Sequence, residues 1–177
     1  MCITNGAERL VCFAHGKESG PWGTKIAYLS KIAHAKGFRT ISPDYRFSYD
    51  PEVRVRHLRE HAPAAHDGLV LAGSSMGGYV SAFAAADIKP DALFLMAPAL
   101  YMPGYDGQPP DWACDTVVVH GWHDDIIPVD HSLRFARERH AEFHVLPTGH
   151  TLNDQLKALG STFSRCLDRV IERKTAK

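Results

Sequence analysis

The residues best suited to chemistry lie in the stretch GSSMG at 73–77, where one serine has a glycine two positions before it and another two positions after it. An apolar run, LVLAG, precedes this stretch, and helix-forming residues follow it. Such a turn needs small residues, because strand and helix nearly touch there. The pattern indicates a nucleophile elbow with Ser75 at its tip. A tight turn without chemistry would use the same residue types, so the elbow needs support from elsewhere in the chain.

That support must come from a base and an orienting acid, because a serine hydroxyl is a weak nucleophile on its own. Downstream, VVVHGWHDDIIP places Asp124 just after an apolar run, and HVLPTGHTL places His150 just after another. Open α/β sheets build their sites beyond the carboxyl ends of strands. A serine, an aspartate and a histidine in this chain order form the triad that accompanies an elbow of this kind.

The elements that must position these residues are visible as short apolar runs separated by helix-like stretches. The runs cover 10–15, 39–43, 69–73, 92–96, 116–120 and 142–147. Most are continuously apolar, which favours strands buried on both faces, as in a parallel sheet. Asp50 followed by Pro51 is typical of a helix start, and leucines at spacings of three and four predict a final helix from Leu152 onward. The alternation predicts one α/β domain over 1–177, with a mostly parallel sheet of about six strands and helices on both faces.

Composition restricts the class of protein. Of 177 residues, 45% are apolar and 23% are charged, and the formal net charge is zero, so nothing favours binding to nucleic acid. No apolar run approaches the ~20 residues of a membrane span, and the N-terminus does not resemble a signal peptide. The four cysteines are scattered, which is typical of reduced thiols. We expect a cytoplasmic protein with no membrane span, and the sequence does not indicate an oligomeric state.

Several short motifs resemble, in order and spacing, those of small, lidless bacterial serine esterases of the α/β-hydrolase superfamily. They are HG after the first run, PDY at 43–45, GSSMGG, HGxxDxxxP and a late GH. The resemblance extends from FAHGKES at 13–19 to the final helix. It implies a three-layer α/β-hydrolase fold with Ser75 as nucleophile, His150 as general base and Asp124 as the acid that orients it. It also implies no cofactor and an oxyanion hole formed by the N–H groups of Lys17 and Met76.

The sequence offers an alternative to the acid and a possible metal cluster. Asp125 is the alternative acid, but Pro128 follows Asp124 by four positions, as the family pattern requires. The histidines and aspartates at 120–125 are residue types that can bind a metal ion. No second cluster supplies a third ligand, so we predict no metal site. Many relatives carry an uncharged residue where this chain has Lys17. The Lys17 ammonium could assist an anionic substrate or lie in solvent.

Large side chains near the expected site are candidates for the substrate pocket, although they could equally cover the edge of the core. They are Trp22, Tyr45, Tyr101, Met102, Trp112 and Trp122. We assign the pocket to Trp22, Tyr45, Tyr101 and Trp122. The proline-rich segment at 97–115 is irregular and short, which predicts no large lid. The expected activity is hydrolysis of small or short-acyl carboxylic esters through an acyl-enzyme. Thioester or amide hydrolysis, or a protein-interaction role with little turnover, stays open as an alternative.

Overall fold

The computed structural model describes residues 8–61, 63–65, 67–105 and 107–176, and within these ranges strands and helices alternate along the chain. The strands are β1 (Arg9–Ala14), β2 (Phe38–Ile41), β3 (Leu69–Ser74), β4 (Ala92–Met96), β5 (Asp115–Gly121) and β6 (Glu142–Leu146). The helices are α1 (Thr24–Ala35), α2 (Pro51–Glu60), α3 (Met76–Ile88), α4 (Val129–Arg139) and α5 (Leu156–Thr175). Each predicted apolar run has become a strand.

The strands form one sheet in the order β2-β1-β3-β4-β5-β6, and every neighbouring pair is parallel. The chain passes from β1 outward to β2 and then returns to β3 on the other side of β1. The carboxyl ends of β1 and β3 therefore lie side by side where the strand order reverses, which is the position at which open α/β sheets bind ligands. The prediction of a six-stranded, mostly parallel sheet is confirmed, and the sheet is parallel throughout.

Helices cover both faces of the sheet, so the predicted three-layer arrangement is confirmed. On one face, Leu29 of α1 and Phe163 of α5 pack with Phe13 and Phe94 of the sheet. On the other, the side chains of α2, α3 and α4 pack against Leu71 and its neighbours. Because α3 is buried over Met76–Ala85, it is apolar on all sides, which explains the alanine-rich sequence after the elbow.

The helix starts follow the sequence signals with one exception. The Asp50 carboxylate accepts hydrogen bonds from the N–H groups of Glu52 and Val53, and Pro51 opens α2, as predicted. The final helix begins at Leu156 rather than Leu152. Leu152 has a positive φ of 56° and is followed by a 3-10 turn at Asn153–Gln155, so its side chain reaches the core from outside the helix.

The segment between β4 and β5 contains no helix or strand in its described residues, 97–105 and 107–114, and the prediction of no large lid is confirmed. In the described ranges, no helix has the length and apolar character needed to cross a bilayer. Cys12, Cys114 and Cys166 are free thiols, and Cys2 lies outside the described residues.

Candidate active site

Ser75 is the single residue between β3 and α3, and its backbone is strained. Its φ of 54° and ψ of −120° form a combination that non-glycine residues rarely adopt. The N–H of Ser75 donates to the Met96 carbonyl at 2.9 Å, and the Ser75 carbonyl accepts from the N–H of Ala99 at 3.0 Å and of Gly78 at 2.9 Å. These bonds hold the residue from both sides, so the strain is maintained by the surrounding structure.

Two glycines make this turn possible. A Cβ on Gly73 would overlap the backbone of Gly77, and a Cβ on Gly77 would overlap the carbonyl group of Ala14. The first overlap is between the strand and the helix of the elbow, and the second is between the helix and the end of β1. The steric requirement inferred from the sequence is therefore present at both positions, and it also brings the elbow against the loop that follows β1.

His150 links Ser75 to Asp124 through its two ring nitrogens. Its Nε2 lies 3.1 Å from the Ser75 Oγ, and its Nδ1 lies 2.7 Å from the Asp124 Oδ2. Because a carboxylate can only accept, Nδ1 carries the hydrogen and Nε2 is left free to accept from the serine hydroxyl. The structure thus brings the three predicted residues together in one hydrogen-bonded chain, and the rival Asp125 is exposed.

Asp124 is held by four donors, although its side chain is fully buried. Its Oδ1 accepts from the N–H groups of Ile126 at 2.9 Å and Ile127 at 2.8 Å, and its Oδ2 accepts from His150 and His120. Burial acts to raise the pKa of Asp124, but the hydrogen bonds from the two histidines and the two amides outweigh it and hold that pKa well below its usual range. The Asp124 carboxylate is therefore negatively charged at neutral pH and can accept the hydrogen bond from His150.

His120 is a contributor that the sequence analysis did not assign. This buried histidine ends β5, and its Nε2 lies 3.0 Å from both the Asp124 Oδ2 and the Ile127 carbonyl oxygen. Since both partners are acceptors, Nε2 carries the hydrogen, and Nδ1 accepts from the Ser132 hydroxyl at 2.7 Å. His120 therefore binds the same carboxylate oxygen as His150 and helps to fix its position. The signal in the sequence is a histidine four residues before the acid, across the turn after a strand.

The loop after β1 packs directly on the elbow and supplies the second candidate oxyanion donor. A Cβ on Gly16 would lie 3.5 Å from the Ser75 Cβ. Within the part of the chain that the structure describes, the N–H groups of Lys17 and Met76 have no hydrogen-bond acceptor. The Met76 amide is also the first of α3, where the helix dipole favours negative charge.

Arg54 of α2 forms hydrogen bonds with the backbone of this loop. The arginine is fully buried, and its guanidinium donates to the carbonyl oxygens of Gly16 at 3.2 Å, Lys17 at 3.4 Å and Ser48 at 2.7 Å. No carboxylate pairs with it among the described residues. Burial lowers the pKa of Arg54, yet an arginine stays charged at physiological pH. The guanidinium donates to two carbonyl groups of the β1 loop and so fixes their peptide planes. Sequence reasoning did not find this role because the arginine stands between two valines in an ordinary helix.

A cavity of about 490 Å³ opens beside Ser75 and His150. Its size is within the range of small-molecule sites. Its lining includes the apolar residues Ala99, Met102, Tyr105, Ile126 and Ile127. It also includes the polar residues Lys17, Glu18, Lys25 and Thr151 together with the glycines of the β1 loop.

Comparison with known proteins identifies the superfamily. No protein-family model matches the chain, and a search of the curated proteins finds no match. A solved structure from Xanthomonas campestris, assigned as a hydrolase of the alpha/beta superfamily, is 31% identical over 92% of this chain and 99% of that one, with a TM-score of 0.85. The chain belongs to the α/β-hydrolase superfamily.

More distant α/β-hydrolase structures share the fold. Est1E from Butyrivibrio proteoclasticus is 16% identical over 96% of this chain and 90% of its own, with a TM-score of 0.75. A serine hydrolase without a lid from Xanthomonas campestris is 20% identical over 94% of this chain and 84% of its own, with a TM-score of 0.65. The resemblance to lidless α/β-hydrolases, drawn from the motifs, is therefore confirmed at the level of the fold.

The four aromatic residues predicted to form the pocket of this α/β-hydrolase do not line the cavity. Tyr45 is fully buried under α2 beside His15. Tyr101 has a positive φ of 57°, and its hydroxyl donates to Glu138 of α4 at 2.7 Å. Trp22 and Trp122 point to solvent, with 50% and 63% of their surface exposed.

Other side chains near the site also have defined positions. Of the large residues named as pocket candidates, Met102 does line the cavity. The Lys17 ammonium lies 5.8 Å from the centre of the Tyr49 ring, in an exposed position. Among the described residues, no three histidines, cysteines or acids are grouped so that they could hold a metal ion. His66 lies outside these residues.

Proposed function

We propose that the protein is a serine hydrolase, and specifically a carboxylesterase that acts on small or short-acyl esters. The observation that supports this best is the hydrogen-bonded chain Ser75–His150–Asp124 on a strained elbow, with distances of 3.1 Å and 2.7 Å. A structural serine would need neither the strain nor an oriented imidazole. Membership of the α/β-hydrolase superfamily supports the same reaction class.

In the first step Ser75 attacks the ester carbonyl while its proton passes to Nε2 of His150. The charge that develops on the imidazole is stabilised by the Asp124 carboxylate, which itself takes no proton. The carbonyl oxygen becomes an oxyanion, and the N–H groups of Lys17 and Met76 donate to it. The positively charged Arg54 side chain donates to the Gly16 and Lys17 carbonyl oxygens of the same loop. A single oxyanion donor contributes about 10²–10³ to kcat in enzymes of this kind.

The intermediate collapses when His150 gives its proton to the leaving alcohol, and an acyl-enzyme remains at Ser75. In the second half of the reaction water loses a proton to His150 and attacks the acyl carbonyl. The bond to the Ser75 Oγ then breaks, His150 returns the proton to that oxygen, and the acid is released. No large lid covers the described part of the site, and the cavity has a volume of about 490 Å³. These dimensions favour small or short acyl groups over long lipid chains.

Labelling with a fluorophosphonate probe, followed by intact-mass analysis, tests the proposal directly. The parent should take up one probe molecule, and Ser75→Ala should take up none. Ser74→Ala is the matched control, because it removes the neighbouring hydroxyl and should be labelled like the parent. Circular dichroism would establish that each variant is folded. A folded parent without an adduct, or an adduct that persists in Ser75→Ala, would contradict the proposal.

A further inference from the structure

Lys25 lines the cavity and contacts the loop that carries His150. It is the second residue of α1, and its Nζ donates to the Thr151 carbonyl oxygen at 2.5 Å. Thr151 follows His150 directly in the chain, and both residues line the same cavity as Lys25. The ammonium group therefore lies beside the candidate general base, on the surface that a substrate would touch.

The chain itself does not neutralise this charge. Among the described residues, no carboxylate forms an ion pair with Lys25, and two of its three N–H groups have no acceptor. Burial lowers the pKa of Lys25 from its ordinary value to about 8, although the charge of Asp124 acts in the opposite direction. A half-buried cation of this kind costs stability at neutral pH. A neutral donor would bind the Thr151 carbonyl without that cost, so the loop contact alone does not account for a lysine.

The charged side chains that line the cavity, Lys17, Lys25 and Glu18, sum to one positive charge, whereas the buried Asp124 carboxylate does not line the cavity and is bound by His150 and His120. Lys17 contributes a second cation, and Glu18, which is exposed, contributes one carboxylate. The first turn of α1 contains no acidic residue and no side-chain cap, so its N–H groups add to the positive potential. The cavity lining also includes apolar side chains, among them Met102, Ile126 and Ile127. A ligand that matches these surfaces has an apolar body and one negative charge.

We propose that the preferred substrates are esters that carry a carboxylate, and that the Lys25 ammonium binds this carboxylate while Ser75 attacks the ester carbonyl. The inference rests on the proposed function and narrows its substrate class. It adds no chemical step: the acyl–oxygen bond of the ester breaks, the Ser75 ester forms, and water restores the serine. The carboxylate remains unchanged and serves only for binding and orientation.

The test compares esters that differ only in charge. Monoethyl glutarate is paired with its neutral amide, ethyl glutaramate, and carboxymethyl butyrate is paired with its amide. The first pair carries the charge on the acyl side and the second on the alcohol side. Released acid and alcohol are measured by chromatography, and the result is the ratio of kcat/KM for the anionic ester to that for the neutral one. A charge-assisted hydrogen bond predicts a ratio of about tenfold to a hundredfold in one of the pairs.

Three variants show whether Lys25 is responsible. Lys25→Met should bring the ratio to about one, whatever its effect on the absolute rates, and Lys25→Arg should retain most of it. Lys31→Met is the matched control, because Lys31 is an exposed residue of the same helix and does not line the cavity. Its ratio should equal that of the parent. Since the charge costs stability, Lys25→Met should also not lower the melting temperature, whereas loss of a structural lysine would.

The outcomes separate this inference from the proposed function. A parent that hydrolyses the neutral esters without preference, or a ratio that survives in Lys25→Met, overturns the role of Lys25 and leaves the esterase proposal intact. A parent that hydrolyses none of the four esters overturns the inference as well. Fluorophosphonate labelling of Ser75 in that same preparation then decides whether the esterase proposal falls with it.

Discussion

The contacts of Asp124 allow the effect of a single isosteric change to be worked out in atomic detail. In Asp124→Asn the side chain keeps its shape, but one oxygen becomes an NH₂ group. The amide oxygen must remain at the Oδ1 position, because two backbone N–H groups, from Ile126 and Ile127, donate there at 2.9 Å and 2.8 Å. An NH₂ in that place would leave both amides without this acceptor.

The NH₂ group is therefore directed at His150 and His120, where the carboxylate oxygen accepts hydrogen bonds in the parent. His150 can accept from it only with an unprotonated Nδ1, which places the hydrogen on Nε2. In that tautomer Nε2 can no longer take the proton of Ser75. Loss of the correct tautomer costs a triad hydrolase about 10⁴ in kcat, or ~5.4 kcal/mol of transition-state stabilisation.

The assay is kcat for 4-nitrophenyl butyrate at neutral pH, with Asp125→Asn as the matched control. Asp125 is exposed and adjacent in the chain, so its variant should stay within about twofold of the parent by the usual behaviour of surface substitutions. Thermal melting would show that both variants are folded. Retention of more than a tenth of kcat by Asp124→Asn, or a larger loss in Asp125→Asn, would refute the reasoning from tautomers.

Four further predictions concern the loop, the elbow and the lysine. Arg54→Met should lower kcat about 10²-fold with little change in KM, because the oxyanion loop loses its support. The free energy of unfolding, measured in urea, should fall by about 1–3 kcal/mol. A loss of stability with kcat unchanged would make Arg54 merely structural. Gly77→Ala should prevent soluble expression or reduce fluorophosphonate labelling strongly, since the added Cβ overlaps the carbonyl group of Ala14. Gly104→Ala is the control, because a Cβ there meets no atom within 4 Å. It should leave labelling intact despite a strained φ of 78°. The preference for anionic esters should disappear as the pH rises through about 8, where Lys25 loses its charge, and taking the kcat/KM ratio at each pH cancels the titration of His150. Between about pH 8 and pH 10.5 the unfolded chain keeps a proton on Lys25 that the folded chain has lost. The free energy of unfolding of the parent should therefore rise with pH relative to that of Lys25→Met. A difference between the two proteins that does not change with pH would contradict the lowered pKa of Lys25.

Local sequence was sufficient for the strands, the elbow and the chain order of the candidate triad. A strand buried on both faces must be continuously apolar, so LVLAG and VVVHG identify β3 and β5 without any tertiary information. The elbow is local in part, because Gly73 is required by the backbone of Gly77, four residues away, whereas Gly77 is required by the carbonyl group of Ala14 at the end of β1. Asp124 and His150 follow from the rule that polar residues after parallel strands meet at one edge of the sheet.

The surroundings of the candidate triad were decided by tertiary structure, because they depend on contacts between segments distant in the chain. Arg54 reaches the carbonyl groups of residues nearly forty positions earlier, and nothing in its own helix distinguishes it from a surface arginine. Lys25 meets Thr151 from the opposite end of the chain. Tyr101 was predicted in the pocket and lies against α4 instead, because its left-handed backbone redirects the side chain. The direction of a side chain on a loop depends on backbone angles that a linear pattern of apolar and polar residues does not encode, and so the pocket, unlike the elbow, required the folded chain.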